Sequence, residues 1–332
     1  MSSLQHSPRY DLAEAQHLAR ALYAIEATAS TLPSERDQNF LLTTAAGDRY
    51  VLKIANAAED RSMLDAQNAA MAHVAGHVTF CPRVLPTIGG DAIGESPGHH
   101  FIRLVTYLPG VPLAEAHVRS AALMENLGRS VGQLDAALAD FDHPATHRDF
   151  HWDLVQASRV IREHLPRIRD EQNRALVARV SESALSIVGA HRAGFRRSVI
   201  HNDANDWNVL IEGDRVAGII DFGDMVHSWT VADLAVAVAY ALLDDPDPLA
   251  IASAIARGCH AAHPLRDEER AALMPLVMLR LCMSACIAAW QQEQRPDDEY
   301  LAVSQEPIRR TLPRLAAISP ETLERALRSI AY

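Results

Sequence analysis

One stretch constrains this chain more than any other. Residues 199–224 read Val199-Ile-His-Asn-Asp-Ala-Asn-Asp-Trp-Asn-Val-Leu-Ile-Glu-Gly-Asp-Arg-Val-Ala-Gly-Ile-Ile-Asp-Phe-Gly-Asp224, a β-rich island between long helix-patterned segments. Two apolar runs flank the turn signal Glu212-Gly213-Asp214, which predicts a hairpin. Its closure sets Asn208, opening one strand, beside Asp221, ending the other, while the preceding apolar run delivers His201 and Asp203 close by. Such a set of polar residues between apolar strands fixes the topology locally and gathers oxygen ligands in one place.

Around the island the pattern is helical. Leu123, Leu127, Val131, Leu134 and Leu138 share one face of a helix, and helical periodicity recurs at about 155–190, 230–243, 248–262, 268–292 and 305–330. The N-terminal part differs. Asp11-Leu-Ala-Glu14 has the form of a capping box, and Leu12, Ala15, Ala19 and Leu22 predict a helix to about Ala27. Asn39–Thr44 and Tyr50–Ile54 flank Ala46-Gly47-Asp48 and predict a hairpin, residues 61–75 a helix, and the Pro- and Gly-rich 82–98 turns and short strands. Phe101–Tyr107 reads as a strand that Leu108-Pro-Gly-Val-Pro112 stops. The expectation is an α+β chain with an N-terminal β-rich lobe over 1–104, a hinge over 105–110 and a helical lobe over 111–332.

Charge and cysteine usage narrow the function. A formal net charge of −11 disfavours nucleic acid and anionic membrane surfaces as partners. Cys81, Cys259, Cys282 and Cys286 form no disulfide framework and read as buried apolar residues. The apolar run Ala271–Trp290 holds Pro275 and Arg280, which suits a core helix better than a membrane span. No signal-peptide pattern opens the sequence, so a cytoplasmic protein is expected. His143, His147 and His151 fall at helical spacing, but Pro144 argues for a loop there, and chance spacing is easy with 16 histidines.

The chemistry lies in the island. Asn208 and Asp221 supply two oxygen donors with the Asp203 carboxylate near them, the kind of set that takes Mg²⁺ when phosphates and water complete the shell. Taken singly, each is also an ordinary turn residue. The pattern H-x-D-x-x-x-x-N followed by D-F-G across a hairpin has the catalytic-loop and metal-loop spacing of the kinase fold. The segment resembles the aminoglycoside phosphotransferase and choline kinase superfamily. The variant His201-Asn-Asp-Ala-Asn-Asp-Trp-Asn208 is most similar to its hydroxylysine kinase branch and to the phosphotransferase domain fused to class III aminotransferases. Weaker matches extend over most of the chain: Asn39-Phe40, Tyr50–Ile54, Gln67-Asn68, Leu134-Asp135 and Asp233-Leu-Ala235.

The resemblance implies a protein-kinase-like bilobal fold and an ATP-dependent kinase that phosphorylates a hydroxyl of a small molecule. By it, Asp203 is the catalytic carboxylate, Asn208 and Asp221 hold Mg²⁺, Lys53 holds ATP phosphates, and Arg103–Tyr107, with Val105 and Tyr107, forms the adenine hinge. His201 is a structural residue bonded to Asp233. Lys53 also has the reading of a solvated strand lysine. Departures accompany the likeness. No G-x-G-x-x-G is present, so Ser34, Arg36 and backbone N–H groups of Pro33–Asn39 are the candidates for the phosphates. Gln67, with Asp65 nearby, stands where a Glu would orient Lys53, and Asn202 stands where small-molecule kinases carry Gly. Asp224–Ala235 runs almost directly into a helix, leaving no activation segment for a protein substrate. For the acceptor, Asp206, Trp207, Asp224 and Trp229, with Trp152 and Asp153 further off, suit an ammonium, so the expected acceptor is an amino alcohol. Each of these is alternatively a packing tryptophan or a cap. The competing reading is a nucleotide-binding pseudokinase, or an accessory domain serving a PLP-dependent aminotransferase-type enzyme.

Overall fold

The computed structural model describes residues 8–34, 37–294 and 304–328. The chain divides into two compact units, one running to Pro109 and including His143–Ala145, the other holding Gly110–Asp142 and everything from Thr146.

In the first unit, helix α1 (Leu12–Tyr23) starts at the capping box: Asp11 accepts from the Glu14 N–H, and Glu14 accepts from the Asp11 N–H. It ends at Tyr23 because Ala24 turns left-handed at φ 54°, earlier than its periodicity suggests. Ala15, Leu18, Ala19 and Tyr23 face inward, whereas Leu12 is 44% exposed. The chain then forms β1 (Ala27–Leu32), β2 (Gln38–Thr44) and β3 (Arg49–Ile54), followed by α2 (Arg61–Val74), β4 (Val84–Leu85), β5 (Gly94–Glu95) and β6 (Phe101–Thr106). The strands pair antiparallel in the order β1-β2-β3-β6-β4, with β5 also on β6. Alternation sorts the side chains. Phe40, Leu42, Leu52, Ile54, Ile102 and Leu104 bury one face under α1. The other face carries the cross-strand row Asn39–Lys53–Arg103, with Leu41, Val51 and Val105 two residues along it.

The second unit opens with β7 (Val111–Pro112) and α3 (Ala121–Leu138), capped by Ser120 and burying the expected leucine face. Helices α4 (Ala157–His164) and α5 (Glu171–His191) occupy the region expected as one helix; a 3-10 turn at Leu165–Arg167 containing Pro166 separates them. The island folds as β8 (Arg197–Ile200), β9 (Val209–Glu212), β10 (Arg215–Ile219) and β11 (Val226–Trp229). β9 pairs with β10 and β7, and β11 pairs with β8. Then come α6 (Thr230–Ala241), α7 (Pro248–Ala262), α8 (Asp267–Gln294), α9 (Gln305–Ala316) and α10 (Pro320–Arg328), the last two replacing the single helix expected at 305–330.

Helix α8 is long and apolar enough to cross a bilayer, yet 94% of its most apolar window is packed inside the protein. It is a core helix, and all four cysteines are free and buried. Helices α3 and α7 meet backbone to backbone. A Cβ on Gly128 would fall 1.7 Å from the Ile255 carbonyl oxygen, and one on Gly258 would fall 1.9 Å from that of Glu125. No helix runs through His143, His147 and His151; the segment holds a 3-10 turn at Pro144–Thr146, and His147 bonds Asp142 and stacks on His227.

Candidate active site

The site begins at the end of β8. His201 and Asn202 are fully buried, and their backbone N–H groups donate to the two oxygens of Asp233 on α6, at 3.2 and 2.7 Å. The bond expected between His201 and Asp233 is thus made by the backbone. The imidazole instead spans the loop, with Nε2 3.1 Å from the Ile220 carbonyl and Nδ1 accepting from the Asp203 N–H. Burial lowers the pKa of this histidine, consistent with a neutral ring. Asn202 takes φ 66°, a left-handed conformation that Gly and Asn tolerate best, and its Nδ2 donates to the Asp224 carbonyl. That geometry suits the asparagine the sequence places there.

Asp203 projects from this anchored turn. Its Oδ1 accepts from Asn205 Nδ2 at 2.9 Å, and its Oδ2 from Asn208 Nδ2 at 2.7 Å. Asn205 Oδ1 in turn accepts the N–H groups of Trp207 and Asn208, so one amide side chain shapes the loop and orients the carboxylate. The Ile220 N–H donates to the Asn208 carbonyl, closing the hairpin and setting Asn208 against the Asp221 turn. Asp221 has φ 64° and accepts the Gly223 N–H, beginning the 3-10 turn Phe222–Asp224. Arg148 holds that turn from outside the motif, donating to the carbonyls of Gly223 and Met225.

A residue the motif does not contain completes the site. Arg280, in the middle of α8, is 2% exposed, and its guanidinium lies 3.6 Å from Asp203 Oδ1. It stacks over Trp152 at 4.5 Å and donates to the Trp152 carbonyl at 2.8 Å. Burial first, then Asp224 and Asp221, push the Asp203 pKa well above the usual carboxylate range, while Arg280 and the Asn205 bond oppose them. The one sequence signal for Arg280 was a charge in an otherwise apolar helix.

The donor set fits a hard divalent cation. Among the described residues no three His, Cys, Asp or Glu side chains are placed to hold a metal unaided. Asn208, however, spends its Nδ2 on Asp203, so its Oδ1 is the atom it could offer an ion, and Asp221 follows the Ile220 N–H that closes on the Asn208 carbonyl. An ion held by two protein oxygens and otherwise by phosphate and water matches the way Mg²⁺ binds.

The remaining candidates separate. Asp224, half-buried, joins the Asp203 group. Asp206 is pushed up to about 6 by burial, with the Arg119 cation opposing, and its carbonyl accepts from Ala114. Trp207 is 41% exposed on the loop. Trp229 is 8% exposed and packed edge-on against Phe195. Asp153 is buried too, capping a 3-10 turn and bonded to Ser228.

In the first unit, Lys53 is half-buried in its row between Asn39 and Arg103. Arg103, 3% exposed, bonds Asn68 of α2. Gln67 is buried on α2, whereas Asp65 is turned outward to Arg61. Val105 is 6% exposed on the Lys53 face, and the Tyr107 ring is covered by Arg49 at 4.1 Å. Ser34 is exposed in the β1–β2 turn, and Arg36 lies outside the described residues.

Comparison with known proteins agrees with this geometry. The chain is 28% identical to a hydroxylysine kinase of Danio rerio, covering 98% of this chain and 97% of that one. It is 30% identical to a homoserine kinase of Methylobacillus flagellatus over 70% of each. Among solved structures, an amicoumacin kinase in complex with AMP-PNP and Ca²⁺ superposes with a TM-score of 0.70 at 16% identity, covering 95% of this chain and 97% of that one. The α+β architecture is therefore the kinase-like one the sequence led us to expect. Residues 28–274, well over half the chain, match the model of one family, and the protein belongs to it: the phosphotransferase enzyme family.

Proposed function

We propose that this chain transfers the γ-phosphoryl group of ATP to a hydroxyl of a small amino alcohol or hydroxylated amino acid. The observation that carries the reading is the cluster of Asp203, bonded by the Asn208 amide, and Asp221, which follows the Ile220 N–H that closes the hairpin on Asn208. A catalytic carboxylate and a two-oxygen metal cradle in one cluster are what phosphoryl transfer to an alcohol requires.

Asp203, held by Asn205, Asn208 and Arg280, orients the acceptor hydroxyl and takes its proton. Asn208 and Asp221 would hold Mg²⁺, which supplies charge neutralisation for the phosphates. Lys53 is the residue we assign to the ATP phosphates, with Ser34, Arg36 and backbone N–H groups of the β1–β2 turn as their cover. Val105 and Tyr107 belong to the segment assigned to adenine, and Gln67 orients Lys53 as a neutral partner. The loose transition state leaves the protein mainly positioning and electrostatics to provide.

Hydroxylysine kinases and homoserine kinases among the relatives support an acceptor carrying an amine. Asp224 is the carboxylate best placed for it, since it shares the Asp203 neighbourhood, and Asp206 and Trp207 are further acceptor contacts. An ammonium gains a charge-assisted bond there, whereas a polyol leaves a carboxylate poorly paired at a cost of about 1–3 kcal/mol. An ATP-consumption screen tests this. 5-Hydroxylysine, homoserine, ethanolamine or choline is expected to give kcat/KM at least about tenfold above glycerol or a pentose. Equal use of the polyol refutes the cationic acceptor, and no turnover with any acceptor while MgATP still binds refutes the kinase reading.

A further inference from the structure

Behind the anchored turn lies a second carboxyl group that the catalytic chemistry does not use. Asp135 projects from α3 into the core and is 2% exposed, and Asp233 on α6 is 0% exposed. The two carboxyl groups face each other in the core, near enough that each side chain acts on the other. Asp233 already accepts two backbone N–H bonds, from His201 and Asn202. Asp135 Oδ1, by contrast, is buried with no hydrogen-bond partner among the described residues. Two carboxyl groups can bond to each other only with a proton between them. The oxygen left bare belongs to the group that carries no charge, because an orphaned carbonyl oxygen costs far less than an orphaned anion.

The surrounding charges leave no counter-ion for a second anion. Facing this pair are Arg196, Glu269 of α8, Cys259 of α7 and the neutral His201 ring. Arg196 is taken by Glu269, which receives its Nε, its Nη2 and its backbone N–H, and its Nη1 meets His263 Nε2 at 2.5 Å.

We infer that Asp135 is kept as a neutral carboxylic acid that donates a hydrogen bond to Asp233, and that this buried acid–carboxylate pair positions the His201–Asn202 backbone from which Asp203 projects. Asp135 is a positioning residue acting through Asp233, and the strained Asn202 conformation is what the pair holds in place. Burial, Asp233 and Glu269 all push the Asp135 pKa well above the carboxylate range, with Arg196 opposing. The pair shares no residue with the metal cradle. Only its activity arm rests on the kinase reading.

Asp135→Asn supplies an N–H donor of the same shape that cannot ionise, and Asp135→Ala removes the donor. In an ATP-consumption assay the Asn variant should stay within about threefold of wild-type kcat, while the Ala variant loses about tenfold or more. Stability gives an independent arm. A native state holding one proton more than the unfolded chain loses a factor of about ten in its folding constant per pH unit above the unfolded pKa. The wild type should therefore lose ground to Asp135→Asn by that factor per unit between pH 5 and 7. An infrared band of a protonated carboxyl, present in wild type at neutral pH and missing from Asp135→Asn, is the direct signature. Asn losing as much activity as Ala, or Ala losing none, overturns the positioning role. A pH-independent stability difference or an unchanged band overturns the neutral acid. Should Asp135→Asn fail to fold, the band measured in Asp203→Asn decides, and its absence overturns the inference. A wild-type enzyme inactive on every acceptor would sink the kinase reading and leave the stability and infrared arms standing.

Discussion

Replacing Arg280 with Met tests the energetics of the site most directly. Methionine keeps the apolar stem in the core and removes only the guanidinium. At 3.6 Å the pair with Asp203 is worth about 4–5 kcal/mol before desolvation at an effective dielectric constant of about 20. Solvent reaches 21% of the Asp203 side chain, and the desolvation of Arg280 is recovered on removal, so the net loss from this pair is nearer 1–2 kcal/mol. The bond to the Trp152 carbonyl adds roughly 1.5 kcal/mol, and the stacking on its ring about 0.5–1 kcal/mol. Together they give about 4 kcal/mol, or a Tm lowered by roughly 6 °C in a chain of this size. Catalysis should suffer separately. Asp203 loses the cation that offsets Asp221 and Asp224, and kcat should fall by about tenfold or more while KM for ATP moves less than about threefold. Arg280→Lys keeps the charge without the flat stacking surface and should fall between the two. A thermal melt and steady-state ATP consumption on purified protein measure both effects. A Met variant that melts within 1 °C of wild type (an error limit on the order of ~0.5 kcal/mol) with unchanged kcat refutes the assignment.

Asp203→Ala and Asp221→Ala should each cut turnover by about 10²–10⁴-fold in protein that still folds, and near-normal turnover in either removes that residue from the mechanism. Because the Asp203 pKa is raised, its basic form is full only above that raised value, so kcat/KM should fall on acidification well before the ordinary carboxylate range near pH ~4 is reached; a profile flat down to about pH 5 contradicts this. Saturation with MgATP at about 100 times its Kd should stabilise the fold by about 2.7 kcal/mol, and EDTA should abolish most of the Tm shift if Asn208 and Asp221 hold the ion. Gly128→Ala places a methyl against the Ile255 carbonyl, so α3 and α7 must separate at a cost of about 3 kcal/mol or more; a differential-scanning melt unchanged from wild type would show the helices are free to move apart.

The catalytic island was legible because its polar residues sit at fixed spacings between apolar strands, so local pairing alone brings Asn208 to Asp221. Leucine periodicity made α3 legible for the same reason, since one face of it is buried along its whole length. What escaped depends on partners distant in the chain. β1 is a Thr- and Ser-rich edge strand whose alternation carries little hydrophobic contrast, and only its pairing with β2 makes it a strand. Trp229 reads as an aromatic near the motif, yet Phe195 buries it. Arg280 reads as an obstacle to membrane insertion, and nothing local says that its charge ends beside Asp203. The breaks at Pro166 and before Pro320 were misjudged boundaries with a local signal, a proline within a helical pattern.

After Phe222–Asp224 the chain enters β11 at once, pairs with β8 and turns into α6, while Arg148 fastens the turn through two carbonyls. Enzymes governed by covalent modification near their metal loop need a segment that can be disordered in one state and ordered in the other. Here the same stretch is stitched to the core at both ends, so a phosphate added nearby would find nothing to fold. An order–disorder switch in this segment would first have to break the β8–β11 pairing and the two Arg148 bonds.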